Sequence, residues 1–149
     1  MKTNFKLTIF NHDDSPPPDE LVSAVFLIPF DSSGKILCCH NQRGWDIVGG
    51  HVEQGESFKK ALKREVLEEG GATFDSAIPF ATISSSTSKK VMLCYVSNKF
   101  TLQNFKPSGN DLERDVLSTE ELISRYQGDK KLLRNLLDGA KKCLKNLRA

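Results

Sequence analysis

The chain lacks most of what would mark a special class. It has no long hydrophobic run: Val25-Phe26-Leu27-Ile28 is broken by Pro29, far short of the roughly 20 apolar residues a membrane helix needs. Its first residues, Met1-Lys2-Thr3-Asn4-Phe5, lack the apolar core of a secretion signal. Neither charge dominates, since 21 Lys and Arg face 19 Asp and Glu for a net +2 over 149 residues. No strong global field follows, which argues against nucleic acid or another polyanion as partner. The cysteines are few (Cys38, Cys39, Cys94 and Cys143), and no two have the C-x-x-C spacing of a zinc or redox site. Three of them lie in runs that read as core strands, and Cys143 falls on the apolar face of a C-terminal helix. Buried free thiols in a reducing, cytoplasmic setting are the expectation. Gly and Pro, at 10 and 6 residues, are too sparse for a collagen-like or disordered chain. The length suits one domain over 1–149, able to bury about 70% of its unfolded surface without staples. Monomer and homodimer are both open.

What is present is a strand-rich chain with helices at its middle and end. Residues 1–20 read as a short strand, Phe5 to Phe10, and a connector stiffened by three prolines at 16–18. Leu21 to Phe30 predicts a strand buried on both faces. Asp31-Ser32-Ser33-Gly34 is a turn into a partner strand, Ile36 to His40. A polar loop, Asn41 to Gly44, and a short apolar piece, Trp45 to Val48, follow. Ser57 to Glu69 predicts a helix with Ser57 as N-cap, stopped by Gly70-Gly71. Ala77 to Ile83 and Val91 to Phe100 read as strands across a mobile loop, Ser84 to Lys90. Asn104 to Asp111 is polar loop. Ser118-x-x-Glu121 is a capping box opening a helix to about Arg125. Leu132, Leu133, Leu136, Leu137, Ala140, Cys143, Leu144 and Leu147 form one stripe of a last helix. The order of elements predicts a mixed sheet covered by helices, an α/β fold.

Gly49 to Ala72 carries the chemistry. At about 100° per residue, Glu69 lies about 40° from Glu65, and Phe58, Ala61 and Leu62 share that side. The apolar stripe thus runs into Glu65, Glu68 and Glu69, whereas Lys59, Lys60 and Lys63 occupy the opposite side. Like charges one turn apart repel, and the C-terminal end of a helix dipole disfavours them further. Such a cluster needs a compensating cation. Hard oxygen donors without His or Cys suit Mg²⁺ or Mn²⁺, and pairing with nearby lysines is the alternative. Arg64, a planar fork of donors, is placed to clamp a carboxylate or a carbonyl of the preceding loop.

Gly50, five residues, Glu56, seven residues, then Arg64-Glu65-Val66-Leu67-Glu68-Glu69-Gly70-Gly71-Ala72 resembles the Nudix box, G-x5-E-x7-R-E-U-x-E-E-x-G-U with U apolar. Every fixed position over 50–72 is filled, a coincidence on the order of one in 10⁸ per window. The resemblance implies a Nudix-type α/β/α sandwich and a MutT-like hydrolase. That enzyme splits a pyrophosphate bond in a nucleoside diphosphate linked to another moiety. It implies Glu65, Glu68 and Glu69 as metal ligands, joined by the Gly49 carbonyl, with Arg64 orienting the catalytic carboxylates and Glu56 holding the loop. It also implies a further carboxylate from outside the box, for which Glu113 is the candidate and Asp111 the runner-up. Divalent ions suit this chemistry because they neutralise a polyanionic diphosphate.

The substrate's readers are less sharply marked. Trp45, the one tryptophan, either stacks on a base or packs under the metal loop. Arg43 either contacts phosphate or is solvated. His51 reads as structural or exposed, and His40, Tyr95 and Phe80 as possible pocket walls. The motifs of the family's ADP-ribose, diadenosine-polyphosphate and coenzyme A hydrolases are missing. Elimination leaves a hydrolase of nucleoside triphosphates or related small nucleotides, with neither membrane nor nucleic acid as partner. The rival is a Nudix-fold nucleotide sensor that binds without hydrolysis.

Overall fold

The apolar runs form the middle of a seven-stranded sheet. The computed structural model describes residues 4–11, 13–105 and 113–148. Its strands are β1 (Phe5–Ile9), β2 (Val22–Pro29), β3 (Ile36–Asn41), β4 (Gly44–His51), β5 (Ala72–Thr73), β6 (Ile78–Ser85), β7 (Val91–Ser97), β8 (Thr101–Leu102) and β9 (Glu113–Leu117). Its helices are α1 (Phe58–Gly70), α2 (Thr119–Arg125) and α3 (Lys130–Arg148). The large sheet runs β1-β6-β7-β2-β4-β3-β9, and β5 pairs with β8 in a separate piece. β2 and β7 are parallel, while the other pairs of the large sheet are antiparallel. The mixed sheet and α/β class are as the sequence predicts.

Strand alternation sends side chains to two cores. On one face Ala61, Leu62 and Val66 of α1 bury against Val25, Leu27, Leu37 and Val48. On the other, Leu133, Leu136, Leu137 and Ala140 of α3 and Leu122 of α2 bury against Ile28, Phe30, Ile36 and Val96. Each fully buried Leu or Val contributes about 1.5–3 kcal/mol. Cys38, Cys39 and Cys94 are buried free thiols, and Cys143 is partly buried. The side chain of Leu147, expected on the same stripe, lies outside the described residues, as does Asp111.

Local chemistry sets the helix ends. The Ser57 hydroxyl accepts the Lys60 N–H at 3.2 Å, and α1 closes on Gly71 at φ +56°, a left-handed conformation that favours glycine. Ser118 and Glu121 form the reciprocal capping box of α2. Three expectations change. Trp45 to Val48 is part of an eight-residue strand that includes Gly49 and Gly50, because both glycines pair with β2. The loop expected to start at Ser84 starts after Ser85, since β1 holds Ser84 and Ser85 in register with Lys6 and Phe5. The strand expected to reach Phe100 stops at Ser97, and the two-residue strands β5 and β8 form beside it. Such short pairs carry too little pattern to read in advance.

Candidate active site

Two adjacent glycines of β4 set the geometry. A side chain at Gly49 would run into the Val25 carbonyl and the Phe26 ring. One at Gly50 would put its Cβ 2.6 Å from the Glu65 carboxyl. Neither position admits a Cβ, so β4 passes directly between the Phe26 side chain and the α1 carboxylates.

Arg64 ties this strand to α1. Its Nε donates to Glu56 Oε2 at 2.8 Å and its Nη2 to Glu56 Oε1 at 3.0 Å, a bidentate pair. Nη2 also donates to the His51 carbonyl at 3.1 Å, and Nη1 to Glu65 at 2.8 Å and Glu68 at 3.3 Å. The clamp expected of Arg64 takes both a carboxylate and a loop carbonyl. Its hydrogen bonds hold Glu56 at about 2, well below the usual carboxylate range, and raise the guanidinium further. Glu53 supplies its backbone N–H to Glu56 at 3.0 Å and closes the loop.

The three carboxylates of the cluster do not share one environment. Glu65 is enclosed, with 13% of its side chain exposed, whereas Glu68 is 52% exposed and touches Arg64 only by its edge. Glu69 turns inward, where burial first, and then the Glu65 carboxylate beside it, push its carboxyl up to about 8. Two contacts oppose that rise: the Cys39 thiol, which donates to Glu69 Oε2 at 3.4 Å, and the Gly49 N–H. Burial beside Glu69 in turn raises the Cys39 thiol. Glu65 is paired with Arg64, but Glu69 has no cationic partner among the described residues, so the two hard oxygen donors carry more negative charge than their surroundings offset. A Mg²⁺- or Mn²⁺-sized cation fits that chemistry. Among the described residues, no three His, Cys, Asp or Glu side chains converge on one metal position. Glu65 and Glu68 share the Arg64 Nη1 donor, at 2.8 and 3.3 Å, whereas Glu69 turns inward to Cys39, so the three glutamates expected from the sequence do not converge on one point.

β9 contributes a residue that sequence reasoning missed. Glu113 is exposed and pairs with His40. Its neighbour Arg114 instead donates to the Gly71 carbonyl at 2.6 Å and the Gly70 carbonyl at 3.2 Å. Successive strand residues face opposite ways, so β9 presents Arg114, rather than Glu113, to α1. A cation on the last carbonyls offsets the dipole end that three glutamates otherwise worsen, by about 0.3–1 kcal/mol. The signal in the sequence was an Arg alternating with an acid in a strand-like run.

A cavity of about 540 Å³ lies between the sheet and the α2–α3 region. Phe26, Ile83, Met92, Leu133 and Leu136 give it apolar walls, and Arg43, Asp46, Tyr126 and Gln127 a polar end. Arg43 is thus brought to the cavity. Trp45 is not among its lining residues. The indole packs edge-on against His40 at 5.2 Å, with the Arg125 guanidinium 5.6 Å from its ring centre. Phe80 is core, and Tyr95 lines a separate, smaller hollow. Asp46 was overlooked, although an acid inside Trp45-Asp46-Ile47-Val48 interrupts an apolar run.

Comparison with known proteins finds the same fold. A pyrophosphohydrolase of Bacillus subtilis superposes with a TM-score of 0.67 over 94% of this chain and 90% of its own, at 24% identity. A MutT Nudix hydrolase of Burkholderia pseudomallei gives 0.60 over 78% and 95%, at 17% identity. These two establish the fold. An oxidized purine nucleoside triphosphate hydrolase of Danio rerio is 40% identical over 48 residues, 29% of this chain and 31% of that relative. The chain therefore matches only about a third of that relative's length. The model of the NUDIX domain matches residues 20–136, which takes in the box, the Arg64 clamp and the Glu65–Glu69 pair, and the chain belongs to the Nudix hydrolase family.

Proposed function

We propose that the chain, as one Nudix domain over 1–149, is a Mg²⁺- or Mn²⁺-dependent pyrophosphohydrolase of small nucleotides. Nucleoside triphosphates are its first candidates. The observation that carries this is adjacency: β4 places a base-sized cavity and an undercompensated acid pair on either side of Gly49-Gly50. A ligand with a flat apolar body and a polyanionic tail matches both. The name of the Danio rerio relative points the same way.

Glu65 and Glu69 would hold a cation, with the Gly49 carbonyl and Glu68 as further candidate donors; such a cation, when bound, would supply neutralisation of diphosphate charge. The chain's residues do the rest. Arg64 fixes the Glu65 carboxylate and the loop carbonyl of His51 in one frame. The water oxygen bonds to phosphorus as the anhydride P–O bond breaks, its electrons leaving on the departing phosphate. A carboxylate of the acid pair takes the water's proton. Arg43 lies at the polar end of the cavity, placed to meet phosphate or ribose oxygens.

A panel of nucleoside triphosphates and diphosphate-linked nucleotides, assayed for phosphate and pyrophosphate release, tests this reading. Hydrolysis of at least one member in Mg²⁺, abolished by chelator, is expected. Binding without turnover across the panel would instead make the chain a nucleotide sensor.

A further inference from the structure

The near balance of charge over the whole chain hides an uneven distribution. Of the 21 Lys and Arg, seven lie in α3, beside one of the 19 Asp and Glu, so this helix carries +6 and the rest of the chain −4. Lys130, Lys131, Arg134, Lys141, Lys142 and Lys145 are all exposed. At about 100° per residue they fall within an arc of about 120°, along a rod of 19 residues that is about 28 Å long. Asp138 is the one acid on that arc.

Helix physics does not account for this arrangement. Lysines near the C-terminal end suit the dipole, but Lys130 and Lys131 stand at the end that disfavours them. Beyond the Asp129 cap, the first turn holds no acid. Arg134 is taken up by Glu120 at 2.8 and 3.0 Å. Lys131, Lys141, Lys142 and Lys145 form no ion pair among the described residues. Like charges one turn apart, such as Lys141 and Lys145, repel, and an anionic partner relieves that repulsion.

The form of the face selects the partner. The opposite stripe of α3 is buried in the core, so no partner can grasp this helix by its apolar side. The exposed arc is convex and carries no aromatic residue on which a base could stack, and its unpaired charge is lysine rather than the arginine fork. Nucleic-acid surfaces rely on grooves, aromatics and arginine. Flexible ammonium groups along a straight polar rod suit a plane of mobile anionic headgroups.

We propose that α3 docks the protein on an anionic lipid bilayer, lying flat on the headgroups through its lysine face. The contact is peripheral, since no helix among the described residues is long and apolar enough to cross a membrane. The acidic remainder of the chain is repelled by the same surface, which orients α3 towards it. α1 and its acid pair pack on the other face of the sheet and stay accessible.

Co-sedimentation of the full chain tests this, with vesicles of phosphatidylcholine alone or with about a third phosphatidylserine. Binding is expected only with phosphatidylserine, and it should fall as salt rises. Each lysine near such a surface carries about fivefold in partitioning, so the triple variant Lys141→Gln, Lys142→Gln, Lys145→Gln should bind about 10²-fold more weakly. The triple variant Lys59→Gln, Lys60→Gln, Lys63→Gln removes the same charge from α1 and should bind like wild type. Circular dichroism confirms the fold of each, and the double variant Lys142→Gln, Lys145→Gln serves if the α3 triple is unfolded. No binding to phosphatidylserine vesicles, equal binding to phosphatidylcholine alone, a folded α3 variant that binds like wild type, or an α1 variant that loses as much, overturns the proposal. Tighter binding to a polyuridine oligonucleotide than to phosphatidylserine vesicles at equal phosphate concentration also overturns it, and makes the face a nucleic-acid surface instead.

Discussion

Glu69→Gln is the sharpest perturbation of the acid pair's energetics. The change keeps the shape of the side chain and an oxygen for the Cys39 thiol, and removes one charge beside Glu65. In the folded protein the Glu69 carboxyl is pushed up to about 8 from an ordinary 4.5. A carboxyl raised on folding holds its proton better in the folded state than in the unfolded one. The metal-free protein is therefore least burdened below about pH 4.5. It loses stability as pH rises from there to about 8, and the slope vanishes beyond. The limit is about 1.4 kcal/mol per pH unit. Glu69 shares its site with Glu65 and is partly solvated, so we expect on the order of 2 kcal/mol across the window. For a chain of this size that is about 4–8 °C in Tm. Thermal or urea denaturation in chelator at several pH values from 5 to 9 measures it. Wild type should fall with pH and Glu69→Gln should stay flat, becoming the more stable protein above pH 7. Parallel profiles, or a variant clearly less stable at pH 8, would refute the argument and make Glu69 a structural partner.

Other substitutions probe the supports of the site. Arg64→Ala should lower both Tm and kcat, because it strips Glu56, Glu65 and the His51 carbonyl of their shared donor; Arg64→Lys should rescue little, since an ammonium cannot reproduce the fork. Thermal denaturation and turnover assays read both variants, and full rescue by Lys would contradict the clamp. Trp45→Ala should cost about 2 kcal/mol in urea denaturation through lost packing against His40 and Arg125, with KM for nucleotides changed less than threefold; a large rise in KM at unchanged stability would put the indole on the substrate. Arg114→Ala should cost about 1 kcal/mol of stability, less at high salt because the interaction with the helix end is screened; an unchanged urea midpoint would remove its capping role.

The site was legible where function imposes spacing, and much less so where tertiary packing assembles it. Gly50, Glu56, Arg64, Glu65, Glu68 and Glu69 could be read because one loop and one helix bring them together locally. The Ser57 cap, the Gly71 stop and the Ser118–Glu121 box were legible for the same reason. The inequality of the three glutamates was not legible: a helical wheel groups them, and only the fold shows Glu65 enclosed, Glu68 half-exposed and Glu69 turned inward to Cys39. Arg114 arrives from β9, more than forty residues away in the chain, and no local pattern predicts that register. Asp46 and Arg43 are marked as cavity residues only once α3 closes over the sheet. Trp45, expected either to stack or to pack, is packed by His40 from β3 and Arg125 from α2. That choice depended on two elements distant in sequence.

The central claim is that the half-buried acid pair on α1 carries hydrolysis. It is tested most directly by kcat of Glu69→Gln beside wild type, on the nucleotide the wild type turns over best, in saturating Mg²⁺, with the fold of both verified. Loss of a cation ligand or proton acceptor is expected to lower kcat by at least about 10²-fold, at a Tm in chelator equal to or above wild type. Turnover within a few-fold of wild type in a folded variant would contradict the account.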